Sequence, residues 1–297
     1  MNVYDRISAN RRSSVMLIIL FLLIIWSLGY FFDIIFGFGS VAIVIATIFA
    51  LISISISYFI GDQLVLAIHR AVPASKKDNA QLLNIVEELS IAAGIPKPKV
   101  YIIEDAAINA FATGRNPKHA SIAVTRGALE KLNRDELQGV IAHELSHIKN
   151  YDMRFMTLVA LLVGVVGILA NWLLRGFFWF GPSRRDRREN EGGFILMAIL
   201  GLVFALVSVI AAQLIKFAIS RRREFLADAD AALMTRYPKG LANALRKIAK
   251  DEQVMRDANP AVEHMYFSNP FKKPNWFLNL FSTHPPIEDR IKALESM

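Results

Sequence analysis

Apolar residues in this chain fall into long uninterrupted runs as well as short periodic ones. Val15 to Phe32, Val41 to Ile60, Met156 to Leu174 and Phe194 to Ile215 contain no charged residue. Each is long enough to cross about 30 Å of hydrocarbon as a helix. The pattern predicts four membrane-spanning or membrane-buried helices. The first two runs are separated by the short loop Asp33 to Ser40, which makes them a helical hairpin occupying residues 1–60, with both ends on one side. A basic start (Arg6, Arg11, Arg12) precedes the first run, as in a signal peptide. That run is too long, lacks a clear small-x-small exit and is soon followed by a second, so it reads as a retained anchor.

Between the hairpins the periodicity shortens, and residues 61–155 read as a soluble α+β portion. An amphipathic helix is expected from Asp78 to Ala93, stopped by Gly94 and Pro96. The β-branched stretches Lys99 to Glu104 and Ser121 to Thr125 read as strands, with Asn109 to Thr113 between them and a turn at Gly114 to Pro117. Asp135 is the expected cap of the following helix. Residues 156–215 form a second apolar hairpin, and 216–297 return to soluble character.

Composition agrees with a lipid environment: 54% of residues are hydrophobic and the mean hydropathy is +0.37, against about 45–50% apolar in soluble domains. The net charge of +8 does not point to nucleic acid, because the basic residues flank apolar runs (Arg154; Arg221, Arg222, Arg223) without interleaved aromatics. It points to a lipid surface. Arg6, Arg11 and Arg12 before the first hairpin, and Arg70, Lys76 and Lys77 after it, place both ends in the cytoplasm. The segment Arg175 to Gly193 joining the later runs carries five arginines. Either it is an exception to the charge rule, or the second hairpin rests against protein or in the interface.

Cysteine is absent, so any zinc must be held by histidine and carboxylate. The stretch Val140-Ile-Ala-His-Glu-Leu-Ser-His-Ile-Lys-Asn150 contains HExxH. Positions four apart lie about 40° from each other around a helix, so His143 and His147 present both imidazoles from one face. Glu144 lies about 60° from His147, which suits a base acting on water rather than a third ligand. A metzincin continuation is excluded by Asn150 and Met153. Asp152 would face about 180° away from His143 on the same helix, which suits a structural or supporting role. The best third ligand is a carboxylate just after the fourth run, where Glu224 and Asp228 stand four apart. Glu224 would complete a His2Glu site and Asp228 would accept the free N–H of a ligand histidine. The alternative is a charged helix end with i,i+4 partners.

Together these residues resemble the HtpX-type membrane zinc metallopeptidases, relatives of the CAAX prenyl endopeptidases. The resemblance runs over nearly the whole chain: two anchors, His143-Glu144-Leu-Ser-His147, another apolar hairpin, then Arg223-Glu224-Phe-Leu-Ala-Asp228. It implies a multi-pass membrane protein, α+β but mainly α, with a gluzincin-type metallopeptidase domain and one Zn2+ per chain. By the same resemblance Glu224 is the third ligand, and Asn109-Ala110-Phe111 is the edge strand on which an extended substrate docks. His284, in Thr283-His284-Pro285-Pro286, would donate to the developing oxyanion, with Arg290 holding that segment or supporting the charge.

The implied activity is an endopeptidase of unfolded or damaged membrane proteins, in quality control under stress, set in the cell membrane with its catalytic domain in the cytoplasm. A dedicated processing peptidase for one lipidated or membrane-tethered substrate, or a non-catalytic membrane scaffold, are the competing readings. Intact Glu144, Glu224 and His284 argue against the scaffold, since a closed structural site needs no base.

Overall fold

A computed structural model describes residues 3–36, 39–179, 199, 203, 221–256, 258, 262–268 and 285–297. His284, the arginine-rich stretch near Arg184 and nearly all of the fourth apolar run lie outside the described residues.

The N-terminal hairpin consists of α1 (Val3–Phe36) and α2 (Ser40–Phe59). Leu17, Phe21 and Ile25 of α1 and Ala50 of α2 are buried in one cluster, and Trp26 Nε1 donates to Thr47 Oγ1 at 3.0 Å. The opposite faces expose Val15, Ile19, Leu23, Val44, Ile48 and Ile52. So large an apolar surface is stable in lipid rather than in water. Ser8–Ser27 is long and apolar enough to span by itself. Two bent pairs also qualify if each is counted as one span: α2 with α3 (Gly61–Ile68), bent by 75°, and the helices either side of Tyr151, bent by 81°. The described residues therefore hold one to three candidate spans.

Four strands form one sheet in the order β1-β2-β4-β3: β1 (Val72–Pro73), β2 (Lys99–Ile103), β3 (Ala110–Asn116) and β4 (His119–Thr125). β2 and β4 are parallel, and the outer strands are antiparallel to their neighbours. Of the turn expected over Gly114 to Pro117, the chain reverses at Pro117 and Lys118, while β3 runs through a register shift after Gly114 to Asn116. Gly114 has φ 137, and a Cβ there would lie 2.2 Å from the His119 carbonyl, so only glycine is accommodated.

Side chains alternate across a strand, and both faces of this sheet are covered. Ala110, Ala112, Ile122 and Val124 pack in one core with α4 (Ala80–Ala93) and α6 (Arg134–Lys149). The same core takes in α8 (Arg221–Thr235), α9 (Pro238–Lys250) and α10 (Ile287–Glu295). Phe111 and Ala123 face the other way, into a core with α1, α3 and α7 (Asp152–Trp179). The sheet thus has the HExxH helix packed on one face and the anchor helices on the other.

α4 starts at Ala80 rather than Asp78, because Asp78 closes a turn with the Ser75 hydroxyl. Gly94 ends it with φ 69, as expected. After α5 (Arg126–Lys131), the cap of α6 is Asn133 and not Asp135. Asn133 Oδ1 accepts from Glu136 N at 2.9 Å, and Glu136 Oε2 accepts from Asn133 N at 2.8 Å. The two bonds satisfy reciprocal orphan donors, leaving Asp135 in the first turn where its charge complements the helix dipole. α6 approaches α9 at Gly139, where a Cβ would stand 2.7 Å from Leu241 Cα. Gly139→Ala is therefore expected to destabilise the fold by about 1–3 kcal/mol through overpacking. Denaturant unfolding in detergent reads this, and an unchanged midpoint would contradict so close a contact.

Candidate active site

His143 and His147 stand one turn apart on α6, their Nε2 atoms 3.1 Å from each other. Glu224, from the first turn of α8, brings Oε2 to 3.7 Å from His143 Nε2 and Oε1 to 3.6 Å from His147 Nε2. One ligand atom from each of the three lies within 4.8 Å of the others, and all three side chains are buried. Glu144 is 1% exposed beside them and accepts from the backbone N–H of Ala112 on β3.

The remaining imidazole nitrogens are turned outward to carboxylates. His143 Nδ1 lies 2.9 Å from Asp228 Oδ1, and His147 Nδ1 lies 3.2 Å from Asp152 Oδ2. If each Nδ1 carries the proton, as such a partner favours, the two Nε2 lone pairs point at each other with no hydrogen between them. Facing lone pairs at 3.1 Å with a carboxylate alongside call for a cation. The donor set of two imidazoles and one carboxylate suits zinc with a position left for water.

Asp152 reaches His147 because the helix breaks. Tyr151 has φ 61 and α7 leaves α6 at 81°, so the half-turn expected on a continuous helix does not apply. Asp228 is gripped in turn by Arg290 of α10, whose Nε donates to Oδ2 at 2.8 Å and Nη2 to Oδ1 at 2.7 Å. The same guanidinium places Nη1 3.6 Å from Glu224 Oε2 and stacks 4.8 Å from the Phe267 ring centroid. Phe267 meets the His143 ring edge-on at 4.9 Å.

These contacts set the proton affinities. Burial lowers His143 to about 4, Arg290 acting in the same direction, against the Asp228 hydrogen bond. His147 is also desolvated, but its bond to Asp152 and the charge of Glu224 outweigh this and raise it to about 9. Without metal, a proton on His147 occupies the place of a cation. Burial raises Glu144 to about 7, with Glu224 adding to the shift and His147 and the Ala112 N–H opposing it. Asp228, though buried, is held well below the usual carboxylate range by Arg290.

The profile of Peptidase family M48 matches residues 76–297. The chain belongs to Peptidase family M48. This M48 peptidase is 46% identical over 296 residues to the Protease HtpX homolog of Thermoanaerobacter pseudethanolicus, covering 99% of this chain and 98% of that one. It is 40% identical to the Protease HtpX homolog of Ligilactobacillus salivarius, covering 99% and 100%. Among solved structures, S. mikatae Ste24p shares the fold with a TM-score of 0.52 at 19% identity. That likeness covers 94% of this chain, which spans 62% of the Ste24p chain. The protein is a membrane metalloprotease, a hydrolase of peptide bonds.

In this M48 peptidase β3 lies at the sheet edge, as expected, but the edge at Asn109-Ala110-Phe111 is not open. Phe267 N donates to Ala110 O at 2.8 Å, and Phe111 is bridged to Tyr266. Asn109 Nδ2 donates to Ser268 O at 3.0 Å, while its Oδ1 accepts from Ser268 N at 3.3 Å. An edge strand's outward polar groups need partners, and here the chain supplies them. Tyr266 is fixed by its hydroxyl, which donates to Nε2 of buried His69, whose Nδ1–H is given to Val65 O at 2.7 Å. No spacing in the sequence links 266–268 to β3. The signal available was only a short aromatic stretch, Met265-Tyr-Phe267.

Were Glu144 the general base, it would act only when ionised, so kcat/KM would fall as acid protonates it. A cation at the ligands pulls its pKa down from the metal-free value, so the acid limb is expected between 4.5 and about 7. A pH profile checks this, and activity sustained unchanged to about pH 4 would contradict the assignment.

Proposed function

We propose that this membrane peptidase is a zinc endopeptidase in which His143, His147 and Glu224 hold one Zn2+ and Glu144 is the general base. The observation that carries the reading is the convergence of those three donors beside a buried carboxyl of raised pKa. Zinc, when bound, supplies a Lewis acid that polarises the scissile carbonyl and acidifies water. Glu144 takes the proton from the attacking water and delivers it to the nitrogen of the leaving amine, so the proton count closes. Its raised pKa suits both halves of that transfer. Asp228 and Asp152 hold the ligand imidazoles in the Nδ1–H tautomer, and Arg290 keeps Asp228 ionised and in place.

His284 donates to the oxyanion in this reading. Arg290 is buried against Asp228 and the first turn of α10 is anchored through it, six residues after His284 in the chain. The substrate lies extended beside β3, past the stretch paired with Tyr266 and Phe267. The outward-facing backbone there is the Ala112 carbonyl, the Ala112 N–H being taken by Glu144, and the backbone of Gly114, two and four residues on from Ala110. Backbone pairing of this kind tolerates varied side chains, and it needs a segment already unfolded. Unfolded or damaged membrane proteins are the substrates that fit, and the relatives named Protease HtpX homolog agree with a quality-control role. The basic residues flanking the first hairpin support a catalytic portion facing the cytoplasm.

Cleavage of an unfolded protein by the detergent-purified, zinc-loaded enzyme tests this. Glu144→Gln is expected to retain zinc and lose activity by at least about 100-fold. A Glu144→Gln protein that cleaves at the wild-type rate would remove the residue from its assigned role.

A further inference from the structure

A polar side chain of the anchor helix reaches the metal cluster. Asn10 of α1 is 3% exposed and lies 140 and 142 residues from its two partners in sequence. Its Nδ2 donates to Asn150 O at 2.8 Å and to Asp152 Oδ1 at 2.6 Å. Those acceptors flank the bend at Tyr151: Asn150 is the C-cap of α6 and Asp152 opens α7. One carboxamide therefore ties the end of the HExxH helix to the start of the next helix. It also leaves Asp152 Oδ2 free to face His147 Nδ1.

A carboxylate at a helix start can rotate, and only one orientation serves His147. Asp152 has its Oδ1 fixed by Asn10, with Arg223 Nη1 a further 3.6 Å away. α1 packs on α7 about two turns farther along, where Leu17 and Phe21 share a core with Met156 and Val159, so it is the Asn10 carboxamide and not that packing that touches Asp152. The route runs from anchor helix to Asn10, to Asp152, to His147, to the position shared with His143 and Glu224. We propose that Asn10 is a positioning residue of the metal site, through which α1 sets zinc affinity. The inference rests on the zinc reading above and adds to it a residue from the membrane anchor.

The test measures zinc affinity of the full-length protein in detergent by chelator competition, with kcat and KM alongside. Asn10→Ala is compared with Leu17→Ala, which loosens the same helix without touching the hydrogen bonds. Asn10→Ala is expected to bind zinc about tenfold more weakly. Its kcat should fall at limiting zinc and recover at saturating zinc, with KM unchanged. Leu17→Ala should lower the thermal midpoint and leave zinc affinity alone. Should Asn10→Ala fail to fold, Asn10→Leu keeps the size, removes both donors without adding charge, and is expected to weaken zinc likewise. Wild-type zinc affinity in either Asn10 variant, or an equal loss in Leu17→Ala, would overturn the positioning role. A wild-type protein that binds no zinc would instead overturn the zinc reading on which it rests.

Discussion

Four buried carboxylates, those of Glu144, Asp152, Glu224 and Asp228, converge on two imidazoles with one fully buried guanidinium, Arg290, among them. Buried charge in such excess is costly unless compensated. Among the described residues Arg290 neutralises Asp228 and reaches Glu224, and Arg223 approaches Asp152, so that carboxyl groups outnumber guanidinium groups around His143, His147 and Glu224. A divalent cation there removes the deficit. In its absence the same demand appears as the raised proton affinity of His147 and of Glu144. Ligand orientation, base strength and the packing of α6, α8 and α10 all follow from this one balance.

The fold meets that balance by bringing distant segments to one point. α6 contributes His143, His147 and Glu144, α8 Glu224 and Asp228, α10 the arginine, and the start of α7 the second imidazole partner. The sheet holds them from one side, with Ala112 N–H on Glu144. From the other side come the helices of the N-terminal anchor. The candidate metal site and the anchor helices are therefore one structure and not two joined by a linker.

Much of the site was legible because helical spacing is local geometry. His143, Glu144 and His147, and the pair Glu224 and Asp228, follow from 3.6 residues per turn, and the order of strands around Asn109 followed from β-branched runs. What was not legible depended on tertiary contact or on a break in the helix. Asp152 was read as facing away because a continuous helix was assumed, and a residue with positive φ at Tyr151 redirects it. The partner of the Asn109 edge comes from 266–268, and Asn10 meets Asp152 across 142 positions. Neither carries a local signature. Asp135 is the cap expected from sequence, yet Asn133, with Glu136 three places on, carries the capping box.

The most direct measurement of the central claim is X-ray absorption at the zinc edge of the purified full-length protein, with its metal content determined in parallel. One zinc per chain is predicted, with two imidazole nitrogens at about 2.0–2.1 Å and the remaining ligands oxygen. The same spectrum for Glu224→Ala should lose a protein oxygen while keeping both imidazoles. Zinc absent from the wild type, or a wild-type ligand shell that is unaltered by Glu224→Ala, would contradict the account.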